Sequence, residues 1–241
     1  MKYLKSEHLK CKRTVINKLT WIAPFMTALF SWIISGFYGF QYMTFYWWYA
    51  FLLPGTIAVF SSLTIQQEER AGKYYSILSL PIDLKHFQFA KATIIIEKLA
   101  ISSLILAVFV SVSNIISPAM TVYSVGRSVL GSISIVLASI WQIPLCLYLA
   151  RKTGMIVPIV ANSLLGIFLP ILFGKSTLAW ICPYCWTAKL AEPLLGIEVN
   201  GTFGGNIYNS WAILLVLVLS ALLYIILSLL DANDFSHRGD K

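Results

Sequence analysis

The sequence has few charged residues for its length. Of its 241 residues, 12% are Asp, Glu, Lys or Arg and 58% are hydrophobic, and the mean hydropathy is +0.77. A soluble domain has about twice this charged fraction. A soluble globular protein is therefore excluded, and we expect lipid to be the solvent for most of the chain.

Histidine and cysteine are also scarce, which limits the chemistry available to the chain. The three histidines, His8, His86 and His237, show no metal-ligand spacing. Only Cys182 and Cys185 are closely spaced, and a single such pair cannot complete a four-ligand zinc site. We expect no metal site, and the pair is either a disulfide on the outer face or two packed thiols.

The net charge of +8 is concentrated at the edges of apolar runs. Six of the 18 Lys and Arg residues lie in the first 18 residues. Nucleic-acid binding is not indicated because no aromatic stacking platform accompanies a basic groove. The placement is typical of cytoplasmic membrane edges, and residues 1–18 predict an amphipathic helix lying on the inner leaflet.

The apolar runs predict six transmembrane helices, each near the length needed to cross about 30 Å of hydrocarbon. The fold class is therefore an all-α polytopic membrane protein, with residues 1–241 forming a single transmembrane domain. We expect Pro54-Gly55 to kink the second span. The predicted spans are about 19–37, 47–65, 93–117, 128–150, 155–173 and 211–230.

The connections between the spans predict the orientation. Segment 66–91 is charged, whereas 174–210 is largely neutral and is a candidate re-entrant segment at the outer face. The tail 231–241 is polar, and we expect it to fray. Nearly all Lys and Arg in the connections fall on one side, so both termini and segment 66–91 are predicted to be cytoplasmic.

Segment 66–91 is charged but patterned. Tyr74, Ile77 and Leu78 form one apolar helical face, and Pro81 ends that helix. Asp83 is placed to cap a second helix that continues into the third span. The segment is either a solvated loop or a helical element at the membrane surface through which a soluble partner moves the spans. We call residues 66–91 the coupling segment.

Two motifs indicate enzymatic alternatives. Gly174-Lys175-Ser176-Thr177 resembles the end of a phosphate-binding loop, but Leu169 stands where the motif needs its first glycine. If ATP drives the protein, another chain must bind it. Glu68-Glu69 followed by Lys73 resembles the paired glutamates of CAAX-type intramembrane proteases, although the predicted spans 3–6 contain no histidine. An intramembrane hydrolase and a passive scaffold or receptor subunit remain alternatives.

The coupling segment resembles the first cytoplasmic loop of exporter permeases of the ABC-2 class. The resemblance lies in 69–73, in 77–82 and in Lys91. Residues 4–10 and 194–201 are similar more specifically to the membrane subunits that give lantibiotic producers their immunity.

This resemblance implies a permease in the bacterial cell membrane, paired with a second permease, identical or not, and with a separate ABC ATPase that binds ATP and Mg²⁺. The chain itself would hold no cofactor and would not be an enzyme. Its substrate would be a lantibiotic peptide, expelled for self-immunity and antibiotic resistance. Glu97 and Lys98, near the start of the third span, are candidates for an ionic contact in a cytoplasmic gate. The candidate ATPase-coupling residues are Glu68, Glu69, Arg70, Gly72, Lys73, Leu80 and Pro81.

Overall fold

The computed structural model describes residues 6–9, 11, 14–70, 84–205 and 208–236. These residues form helices, short helical turns and one isolated antiparallel bridge, which confirms the all-α class. Residues 6–9 and 11 are helical, as the amphipathic N-terminal pattern predicts. The main helices are α1 Val15–Trp47, α2 Leu53–Arg70, α3 Leu84–Ile116, α4 Val125–Ser139, α5 Gln142–Thr153, α6 Ile156–Phe173, α7 Trp186–Leu195 and α8 Ser210–Ser236.

Within the described part of the chain, four helical stretches are long and apolar enough to cross a membrane, or five if α4 and α5 count as one bent span. The sequence predicts six, and the difference arises in the first two. They lie in one helical stretch of 56 residues, Val15–Arg70, interrupted by Gly36 at φ 56° and ψ −152°. Only glycine adopts such a backbone without strain, so Gly36 is where the stretch bends. The protein is a multi-pass membrane protein.

Close to the predicted kink at Pro54-Gly55 the structure has a π-helical segment, Trp48–Leu52, which ends two residues before the proline. Proline has no backbone N–H to donate to the preceding turn, and a π-helical insertion is one way a helix accommodates that loss. The helix then continues as α2 to Arg70, beyond the predicted end of the second span.

The predicted fourth span is broken rather than continuous. Helices α4 and α5 meet at Ile140 and Trp141 with a bend of 46°. Pro144 cannot donate to the carbonyl of Ile140, and the N–H of Ile143 donates to it instead at 3.0 Å. The proline therefore fixes the position of this bend.

The helices form a bundle, and the first and last described residues of the chain lie at the same end of it. Helix α1 packs along α3, α2 packs against α5 and α6, and α8 packs against α3, α5 and α7. His8 contacts α3, and Asp231 near the end of α8 contacts α5. We call this the basic end of the bundle. Large apolar side chains such as Ile156, Leu172 and Trp211 are exposed on the outside of the bundle, as expected for a surface facing lipid.

The prediction that the chain frays from residue 231 is wrong for residues 231–236. Helix α8 continues to Ser236, and Asp231, Ala232 and Phe235 are buried. Of these, Asp231 and Phe235 lie four residues apart, on one face of the helix. The polar composition concealed an amphipathic last turn that packs on the bundle.

Candidate functional site

The end of α2 presents the first candidate coupling residues. Glu69 and Arg70 are exposed there, whereas the neighbouring Glu68 is 5% exposed. Gly72, Lys73, Leu80 and Pro81 lie outside the described residues, as does the rest of 71–83. The coupling role of all seven residues stays a prediction.

Glu68 forms a buried ion pair with Lys91. The Lys91 ammonium donates to a Glu68 carboxylate oxygen, and both side chains are almost fully buried. The pair joins the last turn of α2 to the first turns of α3, on either side of residues 71–83. Glu68 and exposed Glu69 therefore occupy different environments, which does not fit the paired carboxylates of the hydrolase alternative.

A second buried ion pair lies beside the first. The Arg151 guanidinium of α5 donates to the Asp231 carboxylate of α8, and both side chains are buried. The ring of Phe235 lies 5.3 Å from Lys91 Nζ and 5.1 Å from Arg151 Cζ. We call the two ion pairs and this ring the charge cluster; it consists of Glu68, Lys91, Arg151, Asp231 and Phe235.

Sequence reasoning found only part of the charge cluster. The sequence places Arg151 only among the basic residues that flank apolar runs, and Asp231 at the start of a tail expected to fray. A buried cation at a membrane edge needs an acidic partner. That rule could have indicated Asp231, but sequence alone does not show which carboxylate lies nearby.

Glu97 and Lys98 each contact the N-terminal part of the chain. The Glu97 carboxylate is 3.5 Å from His8 Nδ1, and both side chains are partly exposed. Lys98 is buried and donates to the Asn17 side chain at 3.2 Å. The two residues attach α3 to the N-terminal helical residues and to the start of α1. A gating role for them stays a prediction.

A polar network crosses the apolar middle of the bundle. The Asn162 amide of α6 donates to the Pro54 carbonyl at 2.7 Å and to Gln142 Oε1 at 2.9 Å. The Tyr184 hydroxyl donates back to Asn162 Oδ1 at 2.8 Å. Sequence analysis missed Asn162, although a single amide within an apolar helix is a recognisable signal. The network binds α6 to the carbonyl group at the start of α2.

Helix α6 also approaches the π-helical segment closely. A Cβ on Gly166 would lie 2.8 Å from the Ala50 carbonyl oxygen and 2.9 Å from Pro54 Cγ. Only glycine allows two backbones to come this near. A cavity of about 190 Å³ between α1, α2 and α6 adjoins this contact.

The end of the bundle opposite the basic end is closed by α7. This helix ends at Gly196, which has the left-handed conformation of a C-terminal cap. Its last carbonyls accept from side chains outside α7: Leu195 from the Tyr123 hydroxyl at 2.7 Å, and Leu194 from Arg127 Nε at 2.9 Å. Burial raises the pKa of Tyr123, which keeps its hydroxyl protonated as a donor.

Segment 174–205 is ordered and connects back to α1. It contains the short turns Thr177–Trp180 and Pro183–Cys185, then α7 and a bridge between Ile197 and Phe203. The Phe203 ring stacks on Tyr42 of α1, with ring centroids 5.9 Å apart. Its re-entrant position in a membrane stays a prediction.

Cys182 and Cys185 are free thiols, so of the two sequence alternatives the structure has the packed thiols. The buried Cys185 thiol donates to the Leu169 carbonyl at 3.4 Å. Among the residues that the structure describes, no group of three His, Cys, Asp or Glu side chains could hold a metal ion.

Comparison with known families identifies the family of the chain. The family model described as "ABC-2 family transporter protein" matches residues 3–169. This range includes the coupling segment, the π-helical segment and Asn162, and it ends before α7. Comparisons with curated proteins and with solved structures gave no match.

Proposed function

Because the chain belongs to the ABC-2 family of transporter proteins, we propose that it exports a lantibiotic or a similar antimicrobial peptide from the membrane. The family makes it the membrane permease subunit of an ABC transporter and implies an ABC ATPase subunit as its partner. The cargo, the second permease and the role in self-immunity belong to the proposal, as does a cytoplasmic location for both termini.

One observation supports the coupling mechanism most directly. Residues 71–83 lie in the sequence between α2 and α3, and the Glu68–Lys91 ion pair joins these two helices on either side of them. Because this ion pair is buried, the end of α2 and the start of α3 are coupled to each other. The exposed Glu69 and Arg70 stand at the end of α2, where a soluble partner can reach them. We therefore assign the coupling segment to ATPase contact.

The path from this contact into the membrane follows α2. ATP binding in the partner would displace the coupling segment, and α2 would transmit the displacement to the π-helical segment Trp48–Leu52. There Asn162 holds the Pro54 carbonyl, and the adjoining cavity of about 190 Å³ gives α2 room to shift. Helix α1 continues the path, because Tyr42 packs on Phe203 at the opposite end. The proposed outcome is an opening of that end towards the cargo.

The choice of cargo rests on sequence resemblance and on charge. Residues 4–10 and 194–201 are similar to lantibiotic-immunity subunits. Lantibiotics are cationic and amphipathic, and Glu192 and Glu198 are carboxylates at the end that would receive them. A broad apolar surface in lipid suits such a peptide better than a closed pocket.

The test replaces Glu69 and Arg70 together with alanine and measures survival of cells challenged with a panel of lantibiotics. We expect resistance to be lost, while membrane insertion of the permease is unchanged. Lys18→Ala is the matched control, because Lys18 is an exposed charge at the start of α1, outside the coupling segment. Full resistance in the double variant would contradict the coupling role, and the absence of any resistance in the unmodified complex would contradict the cargo.

Two further variants of this test separate the two rival functions. A passive scaffold would protect cells even when the partner ATPase cannot hydrolyse ATP. An intramembrane hydrolase would act without any ATPase and would lose its activity in Glu68→Gln. The proposed exporter requires a functional ATPase in every case.

A further inference from the structure

The last turn of α8 completes the charge cluster. Asp231 is 4% exposed and Phe235 is 1% exposed, although both lie within the last few residues of the helix. Asp231 neutralises Arg151 of α5. Phe235 lies one helical turn further along the same face, where it reaches Lys91 of α3 as well as Arg151.

Phe235 connects the ion pair between α2 and α3 with the ion pair between α5 and α8. Its ring centroid is within about 6 Å of both cations, the range in which a cation is attracted to an aromatic ring. Lys91 and Arg151 are like charges in a buried site and repel each other. A ring in contact with both cations stabilises an arrangement in which they stay close. The position of the first turns of α3, which belong to the coupling segment, therefore depends on the end of α8.

We propose that residues 231–235 are a latch that positions the coupling segment for the ATPase. The latch keeps Lys91, and through it Glu68 and the end of α2, in one place relative to α5. Asp231 and Phe235 are positioning residues in this role, since Phe235 contacts Lys91 of the coupling segment and Asp231 acts through Arg151. The inference rests on the proposed function of that segment.

A neighbouring ion pair provides the matched control. Lys152 and Asp234 join the same two helices, α5 and α8, at 3.2 Å, but both side chains are partly exposed. Exposed pairs contribute little to stability. The control variant Lys152→Gln should therefore leave the latch closed, although it weakens a contact between the same helices.

The experiment measures the position of the coupling segment in the full chain, assembled with its ATPase partner in lipid nanodiscs. Spin labels are placed on His86→Cys in the coupling segment and on Thr153→Cys, both exposed in the structure, after the four native cysteines are replaced by serine. Pulsed electron resonance gives the distribution of distances between the labels. We expect a narrow distribution with Phe235, a broad one with Phe235→Leu, and a narrow one with Phe235→Trp and with Lys152→Gln.

A second variant keeps the shape of the ring and weakens only its attraction for cations. Trifluorophenylalanine at position 235 should broaden the distribution as Phe235→Leu does, even if the leucine variant fails to accumulate. Each unlabelled variant is also tested for ATPase co-purification and for lantibiotic resistance. The latch predicts retained co-purification and lost resistance wherever the distribution is broad.

Two results would overturn the latch. One is a narrow distribution in the fluorinated variant, because the ring would then act by packing alone. The other is a broad distribution with full resistance, because the position would then not matter for transport. Neither depends on Glu69 and Arg70, so failure of the latch is distinguishable from failure of the proposed function.

Discussion

Glu68 and Lys91 are 23 residues apart in sequence, and their side chains form a buried ion pair where α2 ends and α3 begins. Removing one partner leaves the other charge buried and uncompensated, which costs about 3–5 kcal/mol. We therefore expect Lys91→Met to lower the thermal stability of the purified permease strongly. The measurement is the melting temperature of this variant in detergent, followed by tryptophan fluorescence beside the wild type.

The double variant Glu68→Leu with Lys91→Met is the control for that prediction. It removes both charges and fills the site with apolar side chains, so most of the lost stability should return. If the double variant melts as low as Lys91→Met, the pair is not the source of the effect.

Two buried glutamines should respond in opposite directions to the same substitution. Within the described residues Gln88 makes no side-chain hydrogen bond, whereas Gln41 Oε1 accepts from the backbone N–H groups of Val122 at 2.8 Å and Tyr123 at 2.9 Å. A buried polar group without a partner costs about 1–3 kcal/mol. Gln88→Met should raise the free energy of unfolding and Gln41→Met should lower it. Chemical denaturation of the two variants beside the wild type checks the signs, and equal shifts would contradict the prediction.

The close approach of α6 to the π-helical segment predicts a position-specific effect of alanine. Gly166→Ala places a methyl group 2.8 Å from the Ala50 carbonyl oxygen, which is backbone and cannot rotate away. We expect a loss of about 1–3 kcal/mol of stability, together with weaker transport. Gly126→Ala is the control, because its Cβ would meet nothing within 4 Å. Similar melting temperatures for the two variants would contradict this prediction, because α6 could then move away from the π-helical segment at no cost in free energy.

The two closely spaced cysteines should differ in reactivity. Burial, with a smaller contribution from its contact with Cys182, raises the pKa of Cys185 to about 12. A raised pKa keeps the thiol protonated, and the thiolate is the reactive form. Maleimide labelling between pH 7 and 9, read by mass spectrometry, should therefore leave Cys185 unmodified in the folded protein. Labelling should appear after denaturation in detergent, and rapid labelling of folded Cys185 would contradict the burial.

The sequence predicted the apolar helices well because their signal is local. The predicted fifth span begins one residue from α6 and ends with it at Phe173, since the residues between are apolar apart from Asn162 and Ser163. The coupling segment was also identified from local chemistry, because a charged stretch between two apolar runs must leave the lipid. The family match over residues 3–169 confirms the ABC-2 class that this stretch indicated.

The sequence failed where a residue acts through a distant partner. Asp231 is polar and close to the C-terminus, and its burial follows only from Arg151, 80 residues earlier. Asn162 is one amide in an apolar helix, and its bond to Pro54 spans 108 residues. The 46° bend between α4 and α5 is fixed by Pro144, which lies inside the predicted fourth span, 128–150. Such contacts depend on which helices are neighbours, and that information is not local.

The charge cluster also determines how the complex should respond to salt. Dissolved ions screen charges that water reaches, and they screen buried pairs such as Glu68 with Lys91 far less. If exposed Glu69 and Arg70 hold the ATPase as proposed, concentrated salt, the usual wash for stripping peripheral proteins from membranes, should release it. The permease would emerge from that wash with its own internal pairs intact, ready to be recombined with fresh ATPase after dilution.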